Sequence, residues 1–462
     1  MFDTVIRNGT LATGAGTFQA DLGISNGKIE QIGGPTTQAH RVLDARGLIV
    51  FPGGVDVHTH LDAPTLDMMT ADDFRSGTIA AACGGTTTIV DFCQQTPGGS
   101  LAEGIANWDR KARGKAAIDY GYHMLIPDFT DAIADELAAL PAKGITSFKL
   151  FMAGKGGAMV DDMALITALE RARQCGAMVM VHAENGDAVY HLQRKYIADG
   201  KTAPKFHADT RPARAEAEAT ARAIALAEMI DAPLYVVHVS CGAALEEVVR
   251  GKLRGAPVLA ETCTHYLYLT ASDLDRPGFE GAKYVFSPPA RTKADQDALW
   301  HALRNNILET VSSDHSSTRY HDQKQGGIND FTKIPNGLAG IEERLVLLYQ
   351  GVVHGRLTLE QFVDLAASRP ARTFGLSPRK GTIAVGSDAD LVLFDPDATW
   401  TIAATNLHHA VDYSAYEGFE VRGKVDSVLL RGKPIVSNGQ YVGTPGEGVF
   451  LPRSSVELRR SR

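Results

Sequence analysis

Two histidines separated by one residue are the first feature of the sequence that could carry chemistry. His58 and His60 end the stretch Phe51-Pro-Gly-Gly-Val-Asp-Val-His-Thr-His, and the apolar run before them indicates a buried strand. Side chains at positions i and i+2 of a strand point to the same side. Two imidazoles that converge at a strand end can bind a divalent metal ion. Taken alone, the same spacing is also found in ordinary surface and core pairs.

Four further polar residues stand in or at the end of apolar runs. Lys149 lies within Ser147-Phe-Lys-Leu-Phe, and three other runs end in His182, His238 and Asp314. Each residue has an ordinary explanation by itself: a lysine with a buried stem, a core histidine or a capping aspartate. Because the pattern recurs at the ends of several predicted strands, we expect these side chains to share one site.

The chemistry of this set is that of a metal-dependent hydrolase. Four histidines and an aspartate can hold one or two divalent ions. A buried Lys149 can lose its proton, and its neutral amine could then combine with carbon dioxide to form a carbamate that bridges two ions. Two ions roughly 3.5–4 Å apart can share a hydroxide and lower its pKa toward about 7. Asp314 could take the proton of that hydroxide and deliver it to a leaving nitrogen, which fits amide hydrolysis and not redox chemistry.

The elements that must position these residues alternate between strand and helix. The clearest helix runs from Arg214 to Ile230, and candidate strands lie near residues 49–60, 85–92, 118–126, 147–152, 178–184, 234–239, 258–267 and 308–315. This alternation predicts an α/β fold, a parallel (β/α)₈ TIM-type barrel over residues 52–375. The candidate ligands then fall near the carboxyl ends of the first, fourth, fifth, sixth and eighth strands, the face on which barrel enzymes build their active sites.

Both ends of the chain have a different pattern, with short strands and Asn-Gly turns. Such turns occur at Asn8, Asn26 and Asn438, and they are typical of β-hairpins. We therefore expect a small β-sandwich domain from residues 1–51 and 376–445, with the barrel inserted between its halves. Residues 446–462 are expected to form a tail whose basic end, Arg453 to Arg462, is a solvated or subunit-contacting arm.

The bulk composition excludes several classes of protein. The chain has 462 residues, a net charge of −8 and no basic run, which argues against a nucleic-acid partner. No apolar stretch approaches the roughly 20 residues that span a bilayer, so no membrane partner is expected. The five cysteines are scattered without a Cys-x-x-Cys motif, which indicates neither a disulfide framework nor a thiolate zinc site. Together with the absence of a secretory signal pattern, this predicts a cytoplasmic protein.

The ordered set His58-x-His60, Lys149, His182, His238 and Asp314 resembles that of the binuclear cyclic-amide hydrolases of the amidohydrolase superfamily. Within it, the chain most resembles the dihydropyrimidinase/D-hydantoinase group, over nearly its whole length. The motifs that carry the resemblance include Phe51-Pro-Gly-Gly-Val-Asp-Val-His-Thr-His60, Gly84-Gly-Thr-Thr-Thr-Ile-Val-Asp-Phe-Cys-Gln-Gln95, Val181-His-Ala-Glu-Asn-Gly-Asp187, Glu261-Thr-Cys-Thr-His-Tyr-Leu267, Ser287-Pro-Pro289, Ser313-Asp-His315 and Asp330-Phe-Thr-Lys-Ile-Pro-Asn-Gly337.

This resemblance implies hydrolytic ring opening of hydantoins or dihydropyrimidines at a site with two zinc ions. It implies that one zinc is held by His58, His60 and Asp314 and the other by His182 and His238. Lys149 would bridge the two ions as N6-carboxylysine. Ser287 and Asn336 match positions that contact the cyclic amide of the substrate, largely through backbone groups. The family also implies a homotetramer or homodimer.

The loop after Lys149 departs from the family pattern. Where relatives carry a tyrosine whose hydroxyl holds the substrate carbonyl and the developing oxyanion, this chain has Gly154, followed by Lys155. Loss of one oxyanion donor can cost on the order of 10²–10³ in turnover. Lys155 or a metal could replace the donor, the substrate could differ, hydantoin activity could be weak, or the glycine could have no catalytic meaning. The loop from Leu61 to Met69 is a second place for specificity, and its Leu66, Met68 and Met69 would suit an apolar substituent or simply pack within the loop.

Two other functions stay open on the sequence. An allantoinase-like enzyme or a cyclic-imide hydrolase would use the same binuclear site on a different ring. A non-catalytic scaffold of the same fold would be recognisable by missing metal ligands, whereas all six positions are filled here. A metal-dependent deaminase would have no need of a bridging lysine.

Overall fold

The computed structural model describes residues 1–34 and 38–455 of the chain. Its first seven strands are β1 Phe2–Arg7, β2 Thr10–Thr13, β3 Gly16–Gln19, β4 Leu22–Ser25, β5 Lys28–Ile32, β6 Ala39–Asp44 and β7 Ile49–Pro52. The central strands are β8 Gly54–Thr59, β9 Pro64–Thr65, β10 Met68–Met69, β11 Thr86–Gln94, β12 Asp119–Leu125, β13 Ser147–Phe151, β14 Met178–His182, β15 Leu234–Val236, β16 Val258–Cys263 and β17 Thr310–Ser312. The last four are β18 Leu391–Thr401, β19 Glu420–Leu430, β20 Lys433–Ser437 and β21 Gln440–Tyr441.

The α-helices of the described residues lie mostly between the central strands. They are α1 Phe74–Cys83, α2 Leu101–Ala112, α3 Asp131–Glu136, α4 Asp162–Cys175, α5 Gly186–Ala198, α6 Phe206–Asp209, α7 Ala213–Ile230, α8 Gly242–Arg254, α9 Thr264–Tyr268, α10 Lys293–Arg304, α11 Arg344–Val353, α12 Leu359–Val363 and α13 Arg369–Thr373. None of these helices is both long and apolar enough to cross a membrane.

Eight of the central strands form the predicted barrel. They follow one another in chain order from β8 to β17, leaving out the small β9–β10 hairpin, and all neighbouring pairs are parallel. A parallel bridge between Thr59 and His315 brings the last strand back to the first. The (β/α)₈ prediction is confirmed. One predicted strand, 258–267, is too long, because its second half is the short helix α9.

Both ends of the chain combine into one β domain, as predicted. One sheet has the order β5-β4-β1-β6, and the second, β21-β20-β19-β18-β7-β2-β3, joins strands from the two termini. Buried residues from both sheets, among them Ile6, Leu22, Leu11, Leu391 and Leu429, form a common core. The residue limits assigned to the two domains stay predictions.

Two of the three Asn-Gly turns close hairpins. Asn26 and Asn438 both have positive φ, of 51° each, and each joins two antiparallel strands. Asn8 also has a positive φ, of 63°, but it connects β1 to β2, which lie in different sheets. The prediction of a hairpin at Asn8 is wrong. A tight turn determines the local backbone conformation, but it does not determine which strand the following strand pairs with.

The C-terminal segment lies against the amino-terminal end of the barrel. Leu451 is buried in a cluster with side chains from inside the barrel, including Val55, Val90 and Phe374. The guanidinium of Arg453 donates to the backbone oxygen of Tyr122 and to Oγ of Ser147, and burial lowers the pKa of Arg453 to about 9. The prediction of a solvated arm is therefore wrong for Arg453. Residues 456–462 of that predicted arm lie outside the described residues.

A buried lysine joins the β domain to the barrel. The Lys380 ammonium lies 2.6 Å from Oδ2 of Asp119, at the start of β12, 2.7 Å from Oδ2 of Asp390 and 3.0 Å from Oδ2 of Asp388. Burial alone would lower the pKa of Lys380, but the three carboxylates outweigh it and raise the pKa above its ordinary value. This cluster fixes the barrel base against the β domain.

Replacing Lys380 by methionine is expected to lower the free energy of unfolding by about 3–5 kcal/mol, because it leaves the buried Asp390 without an ion-pair partner among the described residues and removes one of the cations beside Asp119 and Asp388. Denaturant unfolding of purified protein measures the change. Lys195→Met is the control, since Lys195 forms an exposed pair with Asp199 and removal of a solvent-screened pair should change the free energy of unfolding much less. Equal losses in the two variants would show that the buried cluster contributes no more than a surface pair.

Candidate active site

The six predicted metal ligands line one cavity at the carboxyl ends of the barrel strands. The cavity has a volume of about 300 Å³, and its walls include His58, His60, Lys149, His182, His238 and Asp314. His58 and Lys149 lie within β8 and β13, and His182 ends β14. His60 directly follows β8, while His238 and Asp314 lie two residues after the ends of β15 and β17. The residues that sequence reasoning brought together from five strands are thus neighbours in space.

Three of the six form a tight group around one carboxylate. Oδ1 of Asp314 lies 3.0 Å from Nε2 of His58 and 3.3 Å from Nε2 of His60. Burial would raise the pKa of the Asp314 carboxyl, but the two imidazoles outweigh it and hold that pKa well below its usual range. Asp314 also has a positive φ of 49°, a backbone conformation that residues at functional sites adopt more often than others.

The other two histidines face each other. Nδ1 of His182 lies 3.0 Å from Nε2 of His238, and Nδ1 of His238 is buried with no hydrogen-bond partner among the described residues. Burial lowers the pKa of His182 and holds that of His238 well below its usual value. Both rings are therefore neutral near pH 7, the form in which imidazole binds metals.

Lys149 is buried between these two groups. Its ammonium nitrogen lies 4.9 Å from the ring centre of Phe92 and 5.2 Å from that of Phe151. Burial lowers the pKa of Lys149 to about 8, although Asp314 and Glu261 act in the opposite direction. A substantial share of the amine is then neutral close to physiological pH, and a neutral amine is the form that reacts with carbon dioxide.

Glu261 supports His58 and was not predicted as a site residue. Its Oε1 lies 2.5 Å from Nδ1 of His58, so that Nε2 of the same ring faces Asp314. Burial would lower the pKa of His58, but Asp314 and Glu261 together raise it to about 9. Hydroxyl groups of Tyr235 and Ser312 hold the second oxygen of Glu261. A carboxylate behind a ligand histidine fixes the ring and increases its basicity.

Glu184 supports His182 in the same way. Its Oε2 lies 2.7 Å from Nε2 of His182, and Arg211 donates to the same oxygen. This pair leaves Nδ1 of His182 to face His238. The signal for Glu184 was present in the sequence, since it follows a predicted ligand by two residues. The signal for Glu261 was weaker, because it lies 203 residues from His58.

A third supporting contact orients the segment after Asp314. Nε2 of His315 lies 3.1 Å from Oδ2 of Asp72, and the amides of Gly340 and Ile341 donate to its Nδ1. Because Nδ1 accepts these two hydrogen bonds, the ring proton is on Nε2, which donates a hydrogen bond to Asp72. This arrangement fixes the backbone that carries Asp314.

The donor set fits divalent metal ions. Imidazole nitrogens, a carboxylate and a lysine that can become a carbamate converge on one buried cavity, and one imidazole nitrogen there has no hydrogen-bond partner in the described part of the chain. The ligand atoms of His58, His60 and Asp314 all lie within 4.8 Å of one another. Histidine and carboxylate ligands of this kind suit zinc and related ions.

The two predicted substrate-contacting residues lie on the opposite wall of the cavity. Ser287 and Asn336 both line it, and the hydroxyl of Ser287 donates to Oδ1 of Asn336 over 2.7 Å. The amide of Asn336 also donates to the backbone oxygen of Ile334 over 3.4 Å, so both side chains are hydrogen-bonded within this wall. Their contact with the substrate stays a prediction.

The loop that contains Gly154 borders the cavity. Its ends are held by a bridge between Phe151 and Met159, and Ala158 lines the cavity. Gly154 has a φ of +89° and its added Cβ atom would meet only ordinary van der Waals contacts. The Lys155 ammonium pairs with Asp187 at the surface and does not line the cavity.

The loop from Leu61 to Met69 contributes to the cavity through Ala63, Pro64 and Thr65. Leu66 and Met69 are instead exposed, at 57% and 41% of their surface, and Met68 is not part of the lining. The expectation that Leu66, Met68 and Met69 face a substituent is wrong for this structure, because the β9–β10 hairpin turns them away from the cavity.

Comparisons with known proteins agree with this geometry. The sequence profile described as the Amidohydrolase family matches residues 49–435. A D-hydantoinase from Ralstonia pickettii is 59% identical over 98% of this chain and 99% of its own length. A D-hydantoinase from Geobacillus stearothermophilus is 50% identical over 97% of this chain and 96% of its own length.

Solved structures show the same relationship. A D-hydantoinase structure with 59% identity superposes with a TM-score of 0.98, over 99% of this chain and 100% of the other. The structure of the dihydropyrimidinase from Brevibacillus agri, at 49% identity, superposes with a TM-score of 0.97 over 99% of this chain and 100% of the other. The chain therefore belongs to the amidohydrolase family, with the barrel and the β domain of its hydantoinase relatives.

Proposed function

We propose that the protein is a metal-dependent hydrolase that opens the cyclic amide ring of hydantoins or dihydropyrimidines. The observation that carries this proposal is the convergence of all six predicted ligands on one cavity, in a chain whose close relatives are D-hydantoinases. The cavity volume of about 300 Å³ lies at the lower end of the usual range for small-molecule sites, which suits a five- or six-membered ring with a modest substituent.

The metal site of this proposal uses the six ligands in two groups. His58, His60 and Asp314 would hold one zinc ion, and His182 and His238 the other. Lys149, carboxylated on its amine, would bridge them. When bound, the two ions would supply a water of lowered pKa and polarise the amide carbonyl.

The side chains of the protein carry out the proton transfers. Asp314 is positioned to accept the proton of the water that attacks the amide carbon, and to return it to the ring nitrogen as the C–N bond breaks. The wall formed by Ser287 and Asn336 binds the ring amide through its backbone and orients the scissile carbonyl toward the ligand cluster. Glu261 and Glu184 hold the histidine rings in place throughout.

A substrate panel tests this proposal. Purified protein with a measured metal content is incubated with 5-substituted hydantoins, dihydrouracil, allantoin and succinimide, and ring opening is followed by chromatography. Hydrolysis of the first two classes is expected. If these are inert while allantoin or succinimide is opened, the protein is an allantoinase-like enzyme or a cyclic-imide hydrolase. A metal-free protein that cannot be reconstituted would indicate a non-catalytic scaffold.

Gly154 is the position at which this chain is expected to differ from its relatives in rate. Lys155 pairs with Asp187 at the surface, so it is not placed to replace a missing hydroxyl. We infer that no side chain of this loop donates a hydrogen bond to the oxyanion, so that bound metal ions would have to supply its stabilisation and turnover is slower than with a tyrosine donor.

Replacing Gly154 by tyrosine is expected to increase kcat for a hydantoin about tenfold. An added oxyanion donor contributes about 2.7–4 kcal/mol in a preorganised site. A tyrosine at a φ of +89° is strained and shifts toward a more relaxed backbone conformation, which places its hydroxyl less precisely. We therefore expect only part of that contribution, about 1.4 kcal/mol or roughly one factor of ten. Steady-state kinetics measures it.

Gly154→Phe is the matched control, because it introduces the same ring and the same backbone strain without the hydroxyl. It should be no faster than the unmodified protein. A tyrosine variant that is no more active than the phenylalanine variant would contradict the assignment of this position to oxyanion binding.

The proposal extends to assembly and compartment. By the family resemblance the protein forms homotetramers or homodimers, and its five cysteines, none of which forms a disulfide, suit a reducing cytoplasm. Light scattering coupled to size-exclusion chromatography determines the number of subunits.

A further inference from the structure

A second buried lysine lies behind the part of the cavity wall that Ser287 and Asn336 form, which we call the substrate wall. Lys324 is completely buried, at the start of a short 3₁₀ helix, Lys324–Gly327. Burial lowers its pKa to about 7. Unlike Lys380, it has no carboxylate within ion-pair distance among the described residues.

The partners of this ammonium are backbone oxygens. Nζ of Lys324 lies 2.9 Å from the oxygen of Pro335, 3.0 Å from that of Gly337 and 3.5 Å from that of Val285. An ammonium group has three N–H donors and no acceptor, so the three oxygens together match its full capacity. A neutral amine would have one donor fewer.

The three oxygens belong to the two segments that form the substrate wall. Pro335 and Gly337 flank Asn336, and Val285 lies two residues before Ser287. The amide of Gly337 also donates to the oxygen of Val285 over 3.0 Å, which joins the two segments directly.

Gly337 fixes the position of this wall from the other side. It has a φ of +119°, and an added Cβ would lie 2.4 Å from the backbone oxygen of Ser316. Ser316 itself lines the cavity, two residues after Asp314. A small shift of the 335–337 segment would therefore change the distance between the substrate wall and the ligand cluster.

We propose that Lys324 is a positioning residue that holds the Ser287 and Asn336 segments at the distance from the metal ligands that the bound ring requires. It does so from behind the wall, without contacting the substrate. This inference rests on the proposed function, because the wall matters only if a cyclic amide binds there. It assigns a role in substrate binding to a residue outside the cavity lining.

The test compares Lys324→Met with Lys333→Met, which makes the same change at a nearby lysine whose side chain is 71% exposed. The KM of Lys324→Met for a hydantoin is expected to rise about tenfold. The wall loses all three hydrogen bonds of the ammonium, and if reordering the loosened wall takes from substrate binding as much free energy as one such bond contributes, the equilibrium constant changes by about that factor. Metal content should stay at the unmodified level, and kcat should change less than KM. Lys333→Met should keep both constants.

Hydrogen exchange measured by mass spectrometry gives a readout that does not depend on activity. Peptides that cover residues 283–288 and 334–340 should exchange faster in folded Lys324→Met than in the unmodified protein, and peptides around Lys149 should not. If Lys324→Met does not fold, Lys324→Gln, which keeps an amide donor, replaces it with the same expectations.

The outcomes separate the two proposals. An unmodified protein that opens no cyclic amide contradicts the proposed function, whatever the variants do. An active unmodified protein, together with a folded Lys324 variant whose KM and exchange rates stay within twofold, overturns the role of Lys324 alone.

Discussion

Replacing Lys149 by alanine is expected to reduce ring opening by about 10³ or more. Under the proposed function the variant lacks the bridging ligand, so the metal ions that would supply several kcal/mol of stabilisation would be bound weakly or not at all. Metal content per chain, measured by mass spectrometry, should fall together with activity. Short carboxylic acids such as acetate or propionate, added to the variant with zinc, should restore part of the activity, since they can occupy the place of the carbamate.

The control for this prediction is Lys149→Arg, which keeps a cation of similar length but cannot form a carbamate, since the guanidinium stays protonated. It should be as inactive as the alanine variant. Carbon-13 NMR of the unmodified protein in labelled bicarbonate should show a carbamate signal that both variants lack. Full turnover by Lys149→Ala without metal or added carboxylate would contradict the binuclear site.

Replacing Asp314 by asparagine is expected to reduce kcat by about 10²–10⁴, the range that a general acid–base group contributes. The exchange is close to isosteric, and asparagine tolerates the positive φ of 49° at this position, so the backbone should be retained. Single-turnover kinetics on variant protein loaded with metal measures the loss. Metal analysis of the same sample separates the loss of a ligand from the loss of a base.

Asp231→Asn is the matched control, because Asp231 ends helix α7 at a φ of 55°, outside the active-site cavity. Its kcat should equal that of the unmodified protein. A metal-loaded Asp314→Asn enzyme that keeps activity within tenfold of the unmodified protein would show that another group accepts the proton.

Much of the fold and most of the ligand cluster follow from local signals in the sequence. Polar residues such as His182 and Asp314 stand at the ends of apolar runs, and the alternation of strands and helices orders those runs into a barrel. The carboxyl ends of neighbouring parallel strands meet at one face, so the convergence of the ligands is a geometric consequence of the barrel. The pairing of the two termini in one domain followed from their shared pattern of short strands and turns.

What the sequence did not reveal depends on contacts between distant parts of the chain. Glu261 acts on His58 across the barrel, and Asn8 joins strands of different sheets, neither of which a local pattern records. The basic end around Arg453 was expected in solvent or at a subunit contact because charged residues are rarely buried, but here the barrel base offers the backbone oxygen of Tyr122 and the hydroxyl of Ser147 to its guanidinium. Lys324 had no sequence signal, since only its surroundings distinguish it from a surface lysine.

The position of Leu451 and Arg453 at the base of the barrel has a consequence for synthesis on the ribosome. The barrel strands leave the ribosome well before these residues, and β2, β3 and β7 must wait for β18 to β21 to complete their sheet. During translation the nascent chain therefore carries an open barrel end and an unpaired sheet edge at the same time, both of which favour aggregation. Emergence of β18 to β21 closes the sheet edge, and emergence of residues 446–455 closes the barrel end. A chain truncated after residue 445 keeps the sheet but lacks Leu451 and Arg453, so it is expected to accumulate in the insoluble fraction even though every predicted metal ligand is present.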